Sequence, residues 1–307
     1  MSHEAVSKFE SANPFIYGRP LETADPFFHR GHELAWISYS GQKPRESKPL
    51  ALVGPPGIGK TSLIKQAMAD PGNKELQIII IDAPSIVEIE VREFLWSFTE
   101  RLSLELKRIG IAAPELQKRQ LLHNAVHEFD TGFWEPLDDS LINQRLLLVL
   151  DAADLLFELA ESNRLGSEIL DIIHQLYLGS AHIEFLYVLF QVDRSNPSAR
   201  CLFPYDDRIL ELRNFELEEA LYIIDRFHPY WAAKDVRKYI HDLTGGHPND
   251  LQRLCHILYN RCAQLGISHI TMADVSAVLA MDPSPDDYYM PVYRRRNVYK
   301  YRFPPEG

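Results

Sequence analysis

PLALVGPPGIGKTSLIKQAM, residues 49–68, decides the fold of this 307-residue chain. An apolar run predicts a short strand over residues 49–53, and helical spacing follows from about Lys60 to Met68. Between them, GPPGIGKT (54–61) fits the pattern G-x-x-x-x-G-K-[ST]. Its glycines let backbone N–H groups surround phosphate without a clash from Cβ atoms. A strand, this loop and a helix in that order predict a phosphate-binding loop.

The loop supplies most of the candidate nucleotide contacts. The start of the following helix adds partial positive charge. Lys60 is expected to bridge the β- and γ-phosphates of a nucleotide, and Thr61 to ligate Mg²⁺. The predicted contacts here are Gly54, Pro55, Pro56, Gly57, Ile58, Gly59, Lys60, Thr61 and Ser62.

A second polar position follows the apolar strand in LLLVLDAADLL (146–156). Asp151 at the tip of this strand is expected to hold Mg²⁺ through water beside Thr61. An aspartate that only caps the next helix is the alternative. Asp154, a turn further on, is a second candidate catalytic carboxylate.

The next apolar strand, EFLYVLF (184–190), leads to a candidate sensor of the γ-phosphate. Gln191, or less favourably Asp193, could reach the phosphate from this strand end. A plain loop start would give the same pattern.

Apolar strands alternate with helices up to Asn214, and this predicts a parallel sheet covered by helices on both faces. Beyond Asn214 the pattern contains helices alone, four of them. The expected class is therefore an α/β P-loop NTPase followed by a small all-α lid. The predicted parts are an N-terminal nucleotide-flanking segment (1–47), the core (48–213), the helical lid (214–282) and a tail (283–307).

Composition narrows the class of protein. The formal net charge of -11 disfavours nonspecific binding to nucleic acid or acidic membranes. Three cysteines are too few for a disulfide framework, and no apolar run approaches membrane-spanning length. We expect a cytoplasmic protein without a membrane segment.

At these residues the chain resembles the AAA+ and STAND class of P-loop ATPases, especially its prokaryotic standalone ATP-binding modules. NPFIYGRP (13–20) and DPFFHRGHEL (25–34) are similar to an N-terminal signature of that group, although His29 and Gly31 depart from it. The shared residues are Asn13, Pro14, Phe15, Gly18, Pro20, Phe27, Phe28, Arg30, Glu33 and Leu34. The resemblance implies that this segment packs near the adenine.

LTGGHPNDLQRL (243–254) is similar to the start of a lid helix in the same class. The resemblance implies that His247 and Pro248 approach the nucleotide and that Arg253 acts as a lid sensor. Gly-Gly-His-Pro also suits a plain helix stop and start.

PYDDRILEL (204–212) places Arg208 where AAA+ proteins often carry an arginine finger for a neighbouring subunit. A surface charge is the alternative, and Arg194 and Arg200 compete for the role. A finger implies a homo-oligomer. Since the sequence ends soon after the lid helices, the resemblance further implies an effector protein acting in trans.

The family pattern D-E-A-D reads D-A-A-D here, with Ala152 at the glutamate position. A general base contributes roughly 10²–10⁴-fold to a rate. Asp154, Glu158 or a glutamate from elsewhere could replace it. Otherwise the chain binds ATP and hydrolyses it slowly, as an ATP-gated assembly or signalling switch.

The tail contains YRRRNVYKYRF (293–303), in which basic and aromatic residues are interleaved. This suits a strap on an acidic neighbouring subunit or partner. It also suits nucleic acid. The alternative function is therefore a nucleic-acid-directed AAA+ ATPase, a regulator or loader in transposition or replication. A scaffold with purely structural nucleotide is a third option.

Overall fold

A computed structural model gives the structure of the chain. It describes residues 13–27, 30–42, 48–70, 75–88, 90–162, 164–204, 206–225 and 231–281. The chain divides into two compact units. The sheet unit comprises residues 30–55 and 60–212, and the helical unit comprises residues 1–29, 56–59 and 213–307. The segment 1–47 is thus shared between the units. The tail 283–307, Phe28 and His29 lie outside the described residues.

The sheet unit is built on five parallel strands within the described residues. They are β1 (Leu50–Val53), β2 (Leu76–Asp82), β3 (Arg145–Asp151), β4 (Ile183–Leu189) and β5 (Ile209–Glu211). Their order is β2-β3-β4-β1-β5, so β4 lies between the strand before the loop and the strand that ends at Asp151. Every residue of β1 and β4 is buried, as expected for strands covered on both faces. The predicted α/β class is confirmed.

Eight α-helices of the sheet unit fall in the described residues. They are α1 (Gly31–Gln42), α2 (Lys60–Met68), α3 (Val91–Arg108), α4 (Ala125–Phe129), α5 (Glu135–Ser140), α6 (Asp154–Ser162), α7 (Arg164–Gly179) and α8 (Pro197–Leu202). Helix α2 begins and ends where the sequence predicts. Helix α8 was not predicted.

The structure corrects the sequence-based prediction for TGFWEPLDDS (131–140). Its Gly, Pro and Asp content predicts turns, but Asp130–Trp134 form a π-helical turn that continues directly into α5. Burial explains the difference: Trp134 is 1% exposed, and its Nε1 donates to Ser180 Oγ at 2.8 Å. Pro136 lies at the start of α5 and has no N–H to donate back into the preceding π-helical turn.

Four helices of the helical unit are described, as predicted. They are α9 (Leu217–Ile224), α10 (Lys234–Thr244), α11 (Pro248–Leu265) and α12 (Met272–Met281). Phe15, from the N-terminal segment, is 1% exposed in the core of this unit and packs against Trp231 with ring centroids 5.7 Å apart. Across the described part of the chain, no helix has the length and apolar character needed to cross a membrane.

Candidate nucleotide site

The loop between β1 and α2 has a backbone that requires glycine. Gly57 and Gly59 adopt φ angles of 81° and 102°, a region that other residues rarely occupy. A Cβ atom on Gly57 would also lie 2.9 Å from His247 Cε1. Glycine is therefore required at position 57 both by its backbone conformation and by the lack of space beside His247.

Lys60 and Ser62 lie in the first turn of α2. The Lys60 ammonium donates to the carbonyl of Gly54 and, at 3.1 Å, to that of Pro55. The ammonium is therefore held over the loop to which phosphate binding is assigned. Ser62 is buried.

Thr61 and Asp151 are brought together although 90 residues separate them. Thr61 Oγ1 donates to Asp151 Oδ2 at 2.9 Å, and both side chains are half-buried. A hydroxyl and a carboxylate this close suit Mg²⁺, which takes one or two protein ligands together with phosphate and water. The residues present therefore fit the predicted metal.

Position 152 is unusual in its backbone as well as in its residue type. Ala152 has a φ angle of 56°, and within the described residues it is the one non-glycine with positive φ. Its N–H donates to Asp151 Oδ1 at 2.9 Å. The Cβ atom of Ala152 already meets the cost of the left-handed conformation, about 1–2 kcal/mol.

Asp154 has a structural partner. Its Oδ1 accepts a hydrogen bond from the Phe190 N–H at 2.7 Å, which connects the start of α6 to the end of β4. Gln191 follows at the same strand end and is exposed. Because β4 lies between β1 and β3, Gln191 follows a strand between the loop and Asp151. Its sensor role stays a prediction.

Asp82 is a carboxylate that the sequence reasoning missed. It ends β2 and stands opposite Asp151 in the register of the two strands. Its side chain is exposed. The signal was present, because QIIIID repeats the apolar-strand-then-aspartate pattern of β3.

Arg208 does not suit the finger role that the resemblance implied. It is 7% exposed, and its Nη2 donates to Glu184 Oε2 at 3.0 Å, while its Nε donates to the Lys48 carbonyl. A finger has to reach a phosphate on another subunit, and this guanidinium is buried and paired. Arg194 pairs with Asp206 near the surface, and Arg200 is exposed on α8.

In the helical unit, Pro248 is the first residue of α11 and His247 precedes it as the N-cap. His247 Nε2 lies 3.1 Å from the Pro56 carbonyl oxygen, so the histidine contacts the loop itself. Arg253 is half-buried on α11, and its sensor role stays a prediction.

The NPF segment lies along α11. Asn13 Nδ2 donates to the His256 carbonyl at 3.0 Å, and the Gly18 N–H donates to Asn249 Oδ1 at 2.9 Å. The Ile16 N–H donates to the Gln252 side chain. Polar side chains of α11 that the sequence reasoning did not select therefore anchor the segment.

Comparisons agree with this geometry. Residues 44–196 match the family described as "AAA domain". Drosophila ORC bound to DNA is similar in structure, with 14% identity, a TM-score of 0.62, and coverage of 93% of this chain and 67% of that one. The Aeropyrum pernix ORC1 protein in complex with DNA is 15% identical, with a TM-score of 0.54 and coverage of 84% of this chain and 66% of that one. A single-residue variant of Thermotoga maritima RuvB is 15% identical, with a TM-score of 0.52 and coverage of 94% of this chain and 82% of that one.

These likenesses show the fold, and the chain spans about two thirds of the length of the two ORC structures. No curated protein matches the sequence. The sheet order, the loop and the family match together define an AAA domain of the P-loop ATPase fold. At this level residues 44–196 match the AAA domain family, and the fold is that of a P-loop NTPase.

Proposed function

We propose that the chain is an ATP-binding, STAND-like AAA+ module that acts as an ATP-gated assembly or signalling switch and hydrolyses ATP slowly. The observation that carries this proposal is the pairing of Thr61 with Asp151 at 2.9 Å, directly followed by Ala152. The groups that suit Mg²⁺ are in place. A methyl group, however, can neither orient water nor accept its proton.

In this proposal, loop amides and Lys60 bind the phosphates, while Thr61 and Asp151 hold Mg²⁺. The metal would neutralise charge on the phosphate oxygens. Gln191 follows β4, the strand between β1 and β3, and is the residue we assign to sensing the γ-phosphate. Different contacts to ATP and ADP would then favour different assembly states.

Other carboxylates could supply a base. Asp154 is less suited than its sequence position implied, because its Oδ1 is bound to the Phe190 N–H. Asp82 and Glu158 are exposed, and each can be tested by its amide variant, Asp82→Asn or Glu158→Gln.

Two measurements test the proposal: steady-state ATP turnover, and the mass of the full chain by light scattering with ATP, ADP or neither. We expect turnover near background and ATP-dependent assembly. Lys60→Ala should abolish ATP binding. Lys65→Ala, one turn along α2, is the matched control and should retain it. Brisk turnover would refute the slow switch, and an unchanged mass in ATP would refute the assembly role.

Ala152→Glu restores the residue type of the family pattern, and we expect it to raise turnover. The backbone at this position is left-handed for Ala152 as well, and the thermal midpoint is measured beside the rate to show that the larger side chain leaves the fold intact. A folded variant with unchanged turnover would show that position 152 does not limit hydrolysis.

A nucleic-acid-directed ATPase is the second candidate. It is favoured by the basic and aromatic residues at 293–303, and two of the similar structures are of ORC proteins with DNA. This candidate predicts DNA or RNA binding that weakens steeply with salt. Replacing Arg294, Arg295 and Arg296 by glutamine should then remove the binding. Binding confined to a protein partner in trans would favour the switch.

A further inference from the structure

His247 places an imidazole against the backbone of the phosphate-binding loop. Its Nε2 lies 3.1 Å from the Pro56 carbonyl oxygen, and both residues belong to the helical unit. Because the carbonyl oxygen can only accept, Nε2 must carry the hydrogen in this contact. The side chain is 15% exposed, so little water competes for the same position.

Asp250 holds the other side of the ring. Its Oδ2 lies 3.0 Å from His247 Nδ1, within ion-pair distance, although the atoms are not aligned for a regular hydrogen bond. Asp250 is 7% exposed and lies in the first turn of α11, three residues after the histidine. A carboxylate at this distance attracts Nδ1 when that nitrogen also carries a hydrogen, so Asp250 orients the ring in its imidazolium form, which donates from both nitrogens.

The ring and the helix start also lie directly over Gly57. A Cβ atom there would come within 2.9 Å of His247 Cε1 and 3.0 Å of Asn249 Cβ. Such distances leave no room for a side chain at position 57. The contact with Pro56 is thus part of a close fit between residues 56–59 and the start of α11.

We propose that His247 is a positioning residue that holds residues 56–59 in the conformation that receives phosphate, with Asp250 orienting its ring. This rests on the nucleotide site proposed above and deepens it. The resemblance implied that His247 approaches the nucleotide, whereas the geometry directs the ring to a carbonyl of the loop. Its influence should therefore extend to any ligand with a phosphate chain, whatever its base.

The test compares the binding of ATP, GTP and inorganic tripolyphosphate to the full chain by calorimetry. His247→Ala should weaken all three by a similar factor of about 2–10, the worth of one hydrogen bond. Asp250→Asn should shift them in the same direction by less. His247→Gln can still donate from its amide, so it should recover part of the loss.

His256→Ala is the matched control, because His256 is also on α11 and also contacts a carbonyl, that of Phe15 at 2.8 Å. It should leave tripolyphosphate binding unchanged. A loss confined to ATP in His247→Ala would overturn the proposal in favour of a contact with the base. Unchanged binding of all three ligands would also overturn it.

Amide hydrogen exchange of Gly57, Ile58 and Gly59 without nucleotide separates this proposal from the proposed function. His247→Ala should raise their exchange rates, whereas His256→Ala should not. If Lys60→Ala still binds ATP, the proposed nucleotide site fails, and the exchange experiment still decides whether His247 holds the loop. Equal exchange in wild type and His247→Ala would refute the holding role.

Discussion

The Arg208→Ala substitution removes the cation beside a carboxylate that is almost completely buried. Glu184 is 1% exposed, and its Oε2 accepts from Arg208 Nη2 at 3.0 Å. The arginine also donates through Nε to the Lys48 carbonyl at 3.0 Å. The substitution therefore removes the cation beside Glu184 and one donor to Lys48, and leaves Glu184 with neutral donors such as the Phe185 N–H at 3.2 Å. Breaking a buried pair from one side costs about 3–5 kcal/mol. Against a total stability of about 5–15 kcal/mol, this is a large loss.

Urea unfolding followed by circular dichroism at pH 7 measures this loss. Arg200→Ala is the control, because Arg200 is exposed and its removal should change stability by less than about 0.5 kcal/mol. The double variant Glu184→Leu/Arg208→Met replaces the pair by apolar groups and should regain most of the stability. An Arg208→Ala variant as stable as wild type would refute the burial argument and return Arg208 to the candidates for a finger.

The same pair predicts a pH dependence. Burial raises the pKa of Glu184 above its ordinary value of 4.5, although the charge of Arg208 offsets part of the effect. The folded state thus binds this proton more tightly than the unfolded state, and the contribution to stability is lost as pH rises above about 4.5. The free energy of unfolding of Glu184→Gln, relative to that of wild type, should therefore increase as the pH is raised from about 4 to about 7. A flat difference would contradict the direction of the shift.

Two further pairs of variants test close packing and the hydrogen bonds of a buried carboxylate to the backbone. Gly246→Ala puts a Cβ atom 2.0 Å from the Phe215 carbonyl oxygen and should cost more than about 3 kcal/mol. Gly266→Ala has open space and should cost about 1 kcal/mol for its φ of 65° alone. Equal thermal midpoints would refute the packing argument. Asp138 accepts hydrogen bonds from the N–H groups of Ala181 and His182, before β4, at 2.8 and 2.9 Å. Asp138→Ala removes both and should cost about 3 kcal/mol. The exposed Asp139→Ala should cost less than about 0.5 kcal/mol, and equal losses on urea unfolding would refute the bonding argument.

Periodic segments were the most predictable part of the fold. Helix α2 and the four helices of the helical unit follow from apolar spacing. The strands follow from continuous apolar runs, because a strand covered on both faces buries successive residues, as β1 and β4 do throughout. The stretch 131–140 was mispredicted. Gly132 and Pro136 favour turns locally, but burying Phe133 and Trp134 outweighs that preference.

Some residues of the candidate site were predictable from sequence, and others were not. The loop glycines and Asp151 were found from sequence, because their chemistry depends on neighbours along the chain. Asp82 carried the same signal and was overlooked. The partners of Arg208 and Asp154 were not predictable, since a polar side chain far from its partner in sequence leaves no local pattern.

The sequence by itself determined the glycine-rich loop after β1, the carboxylate at the end of β3 and the change from an α/β pattern to helices alone. Local spacing and backbone requirements are enough for these features. The tertiary structure alone decided that Thr61 meets Asp151, that Arg208 is buried against Glu184, and that Gly57 lies under His247. The physical reason is that strand order and close packing bring together residues from distant parts of the chain, and each polar group then binds the partner that burial leaves within reach.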